Sequence, residues 1–302
     1  MARSKFILTI ILLFFSVALL KAQNEGPGNT GFAVLKLGVG ARPIAMGEAF
    51  SSISDDATAV IYNPARLSFI DKSNVIVMHN EVMQDVTNNF IAAKFPLSSK
   101  LVLGFGLLST SITGIEIRNI PGAAIDNFDA NNLSAGLSFG YKASPNIFVG
   151  ITGKYLYEKI YVDDASGFAF DFGGNYVKNN VSFALVFSNL GSVNSLLNLE
   201  TNIPAAVRFG GSYKISKEKL SFLFGLDGYK VLDGGNFHVN AGGEAGFKDM
   251  VFLRLGYQTQ YENKGFTSGV GFKYKAVYFD YAFVPYSSGF GNSNTFSLGL
   301  NF

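Results

Sequence analysis

Apolar and polar positions alternate along most of this chain, and the alternation is strictest near its end. Phe296, Leu298, Leu300 and Phe302 are separated by single small or polar residues. A period of two places the apolar residues on one face of a strand and the others on the opposite face. Such strands are typical of a closed barrel whose outer face contacts lipid. The pattern therefore predicts an all-β fold, a transmembrane antiparallel β-barrel.

Runs with this period, bounded by turn residues, predict about fourteen strands. Most are close to the 9–11 residues that a tilted membrane strand needs, and an even number is usual in single-chain bacterial barrels. The predicted strands are 74–82, 88–95, 101–111, 133–142, 147–159, 167–177, 181–190, 205–215, 220–231, 237–247, 251–261, 266–274, 276–286 and 294–302.

The connections between the strands support the same fold independently. Every second connection is tight, and the two long gaps, 112–132 and 191–204, both belong to the other set. Outer-membrane barrels have short periplasmic turns and longer outer loops. The sequence therefore predicts that both chain termini are periplasmic.

The alternation also assigns side chains to lipid or to the lumen. Leu253 and Leu255 are predicted to face lipid, and Arg254 between them to face the lumen. The inward charges have nearly balanced signs, which favours a packed lumen of paired charges over an ion-selective pore. Arg208, Arg254 and Lys273 are predicted to lie close to inward carboxylates. The inward charges are Lys142, Lys154, Glu158, Asp171, Arg208, Lys214, Asp227, Glu244, Arg254, Lys273 and Asp280.

Composition agrees with a membrane barrel. Apolar residues make up 48% of the chain and charged residues 15%, whereas soluble domains carry about 25% charge. A soluble sandwich, which also alternates, is the alternative fold. Glycine (34) and phenylalanine (30) are abundant. Both fit a barrel, in which glycine relieves crowding inside and aromatic residues form the outer girdles. The absence of cysteine excludes disulfides, and a net charge of +2 without a basic run does not indicate nucleic-acid binding.

The first 22 residues have the three parts of a secretory signal peptide. Arg3 and Lys5 precede an apolar run over 6–20, and the small residue Ala22 follows. The sequence predicts cleavage before Gln23. A permanent anchor is the alternative, although the run is short for a hydrocarbon layer of roughly 30 Å.

Residues 23–72 do not alternate and precede the barrel, which is predicted to span 73–302. Two short helices are predicted over 44–50 and 56–62, the second capped by Asp55 or Asp56. Asn63-Pro64 should then end the helix, because a residue before proline avoids the helical region. The segment is too short for a core of its own yet contains apolar residues that need burial. We therefore predict a small hatch or plug in the periplasmic end of the lumen.

The stretch from 38 to 67 resembles the N-terminal signature of the PorV/PorQ family, a branch of the FadL-like fourteen-stranded outer-membrane barrels. The matching residues are Gly40-Ala41-Arg42, Met46-Gly47-Glu48-Ala49, Asp55-Asp56-Ala57 and Tyr62-Asn63-Pro64-Ala65. The resemblance implies a structural or gating role for Gly40, Arg42, Gly47, Glu48, Asp55, Asp56, Asn63 and Pro64. The terminal aromatic residue, Phe302, resembles the assembly signal of outer-membrane barrels.

The resemblance implies a non-enzymatic accessory or shuttle barrel of type IX protein secretion in the outer membrane. Its partners would then be outer-membrane lipid and secretion-machinery proteins or secreted cargo. The alternative is a FadL-like transporter of small hydrophobic compounds. A contiguous apolar pocket under the hatch would favour transport, whereas a filled, charged lumen and an exposed apolar rim would favour protein binding.

An enzyme has no motif support, and we predict no cofactor and no metal. Glycine pairs such as Gly242-Gly243 do not open a helix with the Lys-Ser/Thr of a phosphate loop. His79 and His238 are the only histidines and have no motif spacing. Four loop carboxylates could bind calcium, but hydration explains them as well; they are Asp126, Asp129, Asp163 and Asp164.

Overall fold

The computed structural model describes residues 31–82, 86–196 and 201–302. The predicted signal peptide, 1–22, lies outside the described residues, so it stays a prediction. Across the described ranges, the helices are all too short, or too polar, to cross a membrane.

Fourteen antiparallel strands close into one barrel, in which strands adjacent in sequence pair and β1 pairs with β14. The predicted fold class is confirmed. The strands are β1 (Asn74–Glu81), β2 (Val86–Pro96), β3 (Leu101–Ile117), β4 (Asp126–Lys142), β5 (Ile147–Ile160), β6 (Asp163–Lys178), β7 (Val181–Val193), β8 (Ala206–Lys217), β9 (Leu220–Val231), β10 (Phe237–Phe247), β11 (Val251–Gln258), β12 (Phe266–Tyr274), β13 (Val277–Pro285) and β14 (Asn292–Asn301).

The two ends of the barrel differ in their connections. Tight turns of two to four residues join β2 to β3, β4 to β5, β6 to β7, β8 to β9, β10 to β11 and β12 to β13. We call this the short-turn end; Phe302 lies there beside Ser73, the residue before β1. The opposite end, which we call the loop end, carries the remaining connections. Two residues join β5 to β6 there, whereas most of the others are longer.

The predicted long gap at 112–132 is wrong, because β3 and β4 continue as a paired hairpin to Ile117 and Asp126. The pairing register shifts between Ile112 and Ile115, and Gly114 between them has a φ of 70°. Alternation is required only where one face meets lipid. Past that depth both faces meet water, so the sequence pattern no longer marks the strand.

The predicted register of the lipid and lumen faces is confirmed. Leu253 and Leu255 are 61% and 58% exposed, whereas Arg254 between them is 3% exposed. Asp227 and Asp280 are likewise buried inside the barrel. A slip of one residue would exchange the two faces of a strand, and the observed exposures exclude it.

The N-terminal segment forms only short helices. They are two α-helices, Ala41–Ala45 and Ala59–Tyr62, and two 3₁₀ helices, Ala33–Lys36 and Pro64–Phe69. The helix predicted over 44–50 is wrong, because Gly47 and Glu48 have positive φ angles of 62° and 58°, which end it. Isolated helices this short are unstable in water, so packing against the barrel must hold them.

Phe302 closes the barrel together with the start of the first strand. Its amide donates to the Ser73 carbonyl oxygen at 3.0 Å, and the Ser73 amide donates back to Phe302 O at 3.1 Å. The Phe302 ring also lies edge-on to Phe95, with 6.3 Å between ring centroids. The terminal aromatic residue therefore contributes both to closure and to the outer girdle.

Phe302→Asp should reduce the amount of folded barrel in the membrane. A charge on the lipid face costs up to roughly 2–4 kcal/mol, less near the interface, and the presumed assembly signal is lost as well. The measurement is the folded, heat-modifiable band of membrane extracts. Phe290→Asp, in the loop before β14, makes the same chemical change elsewhere. Wild-type amounts of folded Phe302→Asp protein would contradict the assembly role.

Candidate functional site: a segment inside the barrel

Residues 38–69, which we call the lumenal segment, lie inside the barrel. Val39, Met46, Phe50 and Leu67 are fully buried. They share one core with inward side chains of the wall, among them Ile76 of β1. The segment therefore fills the lumen instead of lying across its mouth.

Inward-facing glycines of the wall make room for the lumenal segment. A Cβ atom added to Gly242 would overlap the carbonyl oxygen of Met46 and lie 2.8 Å from its Cβ. One added to Gly256 would overlap the backbone nitrogen of Gly47. We call these residues the glycine belt: Gly104, Gly106, Gly140, Gly150, Gly173, Gly210, Gly225, Gly242, Gly256 and Gly269.

A chain of ion pairs joins the segment to one side of the wall. Arg42 donates to Asp55 at 2.7 Å within the segment and, through two nitrogens, to Glu244 at 2.8 and 3.0 Å. Arg254 lies between Glu244, at 2.6 Å, and Asp280, at 2.7 Å. Buried charges are tolerated when they are paired and hydrogen-bonded. The predicted pairing of Arg254 with inward carboxylates is confirmed.

Asp227 holds the middle of the segment. Its Oδ2 accepts from the backbone amides of Phe50, at 3.1 Å, and Ser51, at 3.0 Å. Arg208 lies 3.6 Å from the same carboxylate and donates to the Glu48 carbonyl oxygen at 2.7 Å. The predicted proximity of Arg208 to Asp227 is confirmed, and the segment's backbone shares the carboxylate.

Two of the predicted inward charges pair differently from the expectation. Asp171 pairs with Lys154 at 2.8 Å, and Lys154 also donates to Asn189. Lys273 is exposed and has no ion pair among the described residues, so its predicted pairing is wrong. It lies near the short-turn end, where water can solvate its ammonium group without a partner.

The Asn63-Pro64 corner is fixed by side chains that satisfy backbone groups. The Asn63 amide donates to Ser51 O at 2.9 Å, and its oxygen accepts from the Ala65 amide at 3.1 Å. Arg66 donates to Ser54 O and Ile53 O at 2.9 and 3.0 Å. Arg66 therefore holds the turn before the corner through two backbone carbonyl oxygens.

Lys94 is a functional candidate that sequence reasoning missed. It is 1% exposed and donates to the carbonyl oxygens of Asp55 (3.2 Å), Leu67 (3.4 Å) and Ile70 (3.2 Å). The sequence does contain a signal for it: Lys94 lies two residues after Ala92 on β2, so the two side chains share the inward face. Lys94 therefore ties the end of the lumenal segment to the wall.

The segment's two neighbouring carboxylates differ in their proton affinity. Removal from water disfavours ionisation of Asp55, but the charges of Arg42 and Arg66 outweigh it and lower the pKa of Asp55. Burial and the Asp55 charge raise the pKa of Asp56. Burial also lowers the pKa of Arg66 to about 10, despite the opposing effect of Asp55. Asp55 is thus the ionised partner of the Arg42 ion pair.

Another part of the lumen wall carries apolar side chains, which is unusual because the interiors of outer-membrane barrels are generally polar. The backbone amide of Gly40 even lies against the Met78 sulfur, at 2.9 Å. We call this part, formed by β1, β2, β3 and β13, the apolar inner wall: Ile76, Met78, Phe90, Ala92, Val102, Leu108, Ala282 and Val284.

Among the described residues, cavities lie on both sides of the filled section. The larger, of about 900 Å³, opens at the short-turn end, and we call it the vestibule; Arg42, Lys72, Lys214 and Lys273 are among its lining residues. The smaller, of about 50 Å³, lies on the loop side of the segment beside Glu48. The lumenal segment therefore separates the two ends of the barrel.

In the described ranges, His, Asp and Glu side chains do not converge in groups of three that could bind a metal ion. His79 is on β1 and largely exposed. His238 is on β10, where its ring stacks on Tyr261 at 4.0 Å. The two histidines therefore do not form a site together.

The fold is similar to those of solved outer-membrane transport barrels. The Pseudomonas putida toluene transporter TodX has a similar structure, with a TM-score of 0.63 and 15% identity over 88% of this chain and 99% of that one. A Pseudomonas aeruginosa FadL homologue gives 0.54 and 11%, over 87% and 98%. At such identities the likeness establishes the fold alone. A scan of protein-family models and a search of curated sequences both give no match, so the PorV/PorQ branch stays a prediction.

Proposed function

We propose that this protein is a non-enzymatic outer-membrane transporter of small hydrophobic compounds, and that the lumenal segment is its hatch. The observation that carries the proposal is the apolar inner wall, a cluster of buried apolar side chains in a lumen that is elsewhere polar. Between β13 and β1 it is interrupted by the buried polar residues Ser293, Thr295 and Ser297 of β14. The structural likeness to a toluene transporter supports it. In the proposed orientation the short-turn end and both termini are periplasmic, as in barrels with short periplasmic turns.

The path along the apolar inner wall is closed by side chains of the hatch. Val60 packs beside Gly106 of β3, and Leu67 beside Gly104. Moving the hatch away from this wall separates mainly apolar contacts, which are not directional. It also separates Lys94 of β2 from the carbonyl oxygens of Asp55, Leu67 and Ile70. Moving it away from β10 would separate Arg42 from Glu244, a buried ion pair. A small displacement should therefore open the lumen along the apolar inner wall.

A disulfide that locks the hatch to this wall tests the proposal. A Cβ atom on Gly106 would lie 3.7 Å from Val60 Cβ, close to the usual Cβ separation of about 3.8 Å in disulfides. The chain has no cysteine of its own, so Val60→Cys/Gly106→Cys can form one bond only. We expect whole cells with intact lipopolysaccharide to take up radiolabelled toluene through the reduced protein, and to lose that uptake on oxidation. Dithiothreitol should restore it.

The two single-cysteine variants are the controls, because each carries one substitution and cannot form the bond. They should transport equally in oxidant and reductant. Unchanged uptake in a fully oxidised double variant would contradict a moving hatch at this wall. Uptake no faster than in cells without the barrel would contradict transport itself.

An accessory or shuttle role in type IX protein secretion is the second candidate. Two observations favour it: the lumen is filled, with much of its charge paired, and the loop end carries exposed apolar side chains. Ile120 and Val162 are 76% and 71% exposed. Exposed apolar groups of this kind mark protein-binding sites when they form a patch. Recovery of secretion-machinery proteins or secreted cargo with the tagged barrel, together with absent toluene uptake, would favour this role.

A further inference from the structure

The vestibule carries unpaired positive charge at its mouth. Lys72, Lys214, Lys273 and Lys275 line it, are exposed, and have no ion pair among the described residues. Asp249 is the exposed carboxylate side chain of the lining. Asp71, beside Lys72, and Glu218, in the turn between β8 and β9, are further exposed carboxylates at this end of the barrel. The ammonium groups therefore outnumber the carboxylates at the mouth.

The floor of the vestibule does not offset this charge. Arg42, Glu244, Arg254 and Asp280 also line the cavity, but they neutralise one another in the chain of ion pairs. Lys94 is engaged by three backbone carbonyl oxygens. The charge that is free to meet a ligand is therefore that of the mouth lysines.

These lysines are spread around the mouth instead of converging on one point. Lys214 is on β8 and Lys72 lies two residues before β1, and these two strands are separated by half of the fourteen-strand circle. Neighbouring strands lie about 4.8 Å apart, so the two sites are on opposite walls. A single small anion reaches one wall, whereas an extended chain of carboxylates reaches both.

The surrounding surface strengthens the same field. Six further lysines lie on or beside the short turns: Lys100, Lys142, Lys178, Lys217, Lys219 and Lys248. The lysines outnumber the exposed carboxylates of this end, and a predominantly positive cleft raises the local concentration of anionic ligands and their association rate. Lysine is also the cation that meets anions as a flexible point charge, without fixed geometry.

We propose that the vestibule binds an acidic peptide segment of a partner protein. Its volume of about 900 Å³ is within the range of roughly 300–1,000 Å³ for binding sites. Lipid headgroups are the less suitable anion, because Lys214 and Lys273 point into the barrel and lipid surrounds its outside. The site is independent of what crosses the lumen. In the orientation proposed above, the partner is periplasmic.

The test measures binding of a fluorescent octaglutamate peptide to the full chain in nanodiscs of neutral phospholipid. The variant is Lys214→Glu/Lys273→Glu, at two exposed positions without ion pairs. The matched control, Lys178→Glu/Lys217→Glu, makes the same charge change at the same end of the barrel. By the alternation of their strands, these two side chains point away from the lumen. We expect the first variant to bind about tenfold more weakly or worse, because close charge pairs dominate such contacts. The control should weaken binding much less, because its two lysines contribute only to the outer field.

The second measurement is the dependence of peptide binding on salt concentration. Exposed charges are screened beyond about 10 Å at 0.1 M salt, so wild-type binding should weaken with salt and the vestibule variant should lose that dependence. Equal weakening by the control variant would overturn the proposal in favour of a diffuse field. The absence of peptide binding to the wild type would overturn it as well. Loss of peptide binding in nanodiscs of anionic phosphatidylglycerol would assign the lysines to lipid instead.

Discussion

Gly242→Val is expected to displace the lumenal segment and to raise the conductance of the reconstituted barrel. The new Cβ atom would overlap the Met46 carbonyl oxygen, a backbone atom that cannot move without the segment. Overpacking a filled interior costs about 1–3 kcal/mol and occasionally more. Single-channel recording in planar bilayers measures the opening, and protease sensitivity of residues 38–69 measures the displacement.

The neighbouring glycine supplies the control. Gly243 faces outward, and its added Cβ would lie 3.7 Å from the Phe224 ring, an ordinary contact. Gly243→Val therefore makes the same change in composition and backbone propensity without touching the segment, and its conductance should match the wild type. Gly173-Gly174 and Gly210-Gly211 repeat the same arrangement. Equal conductance of both members of a pair would show that the glycine belt does not position the segment.

Glu244→Gln is expected to lower the stability of the closed state by about 3–5 kcal/mol, the usual cost of removing one partner of a buried ion pair. The Glu244 carboxylate lies between Arg42 and Arg254, at 2.8 and 2.6 Å. Without it, two buried guanidinium groups share the remaining carboxylates, Asp55 and Asp280. The temperature at which the folded band unfolds on a gel should fall, and conductance should rise.

Two further variants separate this effect from a general loss of charge. Glu218→Gln removes one negative charge from an exposed turn, where it should be nearly neutral. Arg42→Met in the Glu244→Gln background removes one of the uncompensated cations, so part of the lost stability should return. A double variant less stable than Glu244→Gln by the full cost of Arg42→Met alone would contradict coupling between the two residues.

The strand predictions show where sequence patterns are sufficient. β9, β10 and β12 have the predicted bounds, because lipid on one side and the lumen on the other impose alternation over their whole length. β3 and β4 extend past their predicted ends because their outer parts leave the lipid. The helix predicted over 44–50 ends early because the backbone at Gly47 bends to fit Gly256 of the wall. That contact is between residues 209 positions apart (256 − 47), which local patterns do not report.

The sequence by itself determined the barrel, its strand number, the face of each strand and the inward position of the charges. These follow from the local requirement that lipid-facing side chains be apolar. The tertiary structure decided which charges pair, which glycines contact the lumenal segment and which side of the lumen is apolar. Glu244 belongs to the balanced set of inward wall charges, whereas Arg42 belongs to the N-terminal segment. Their bidentate pair forms only when the segment folds against β10. Which charges pair depends on the path of the lumenal segment. That segment has no sequence periodicity, and its backbone is positioned by the barrel wall around it.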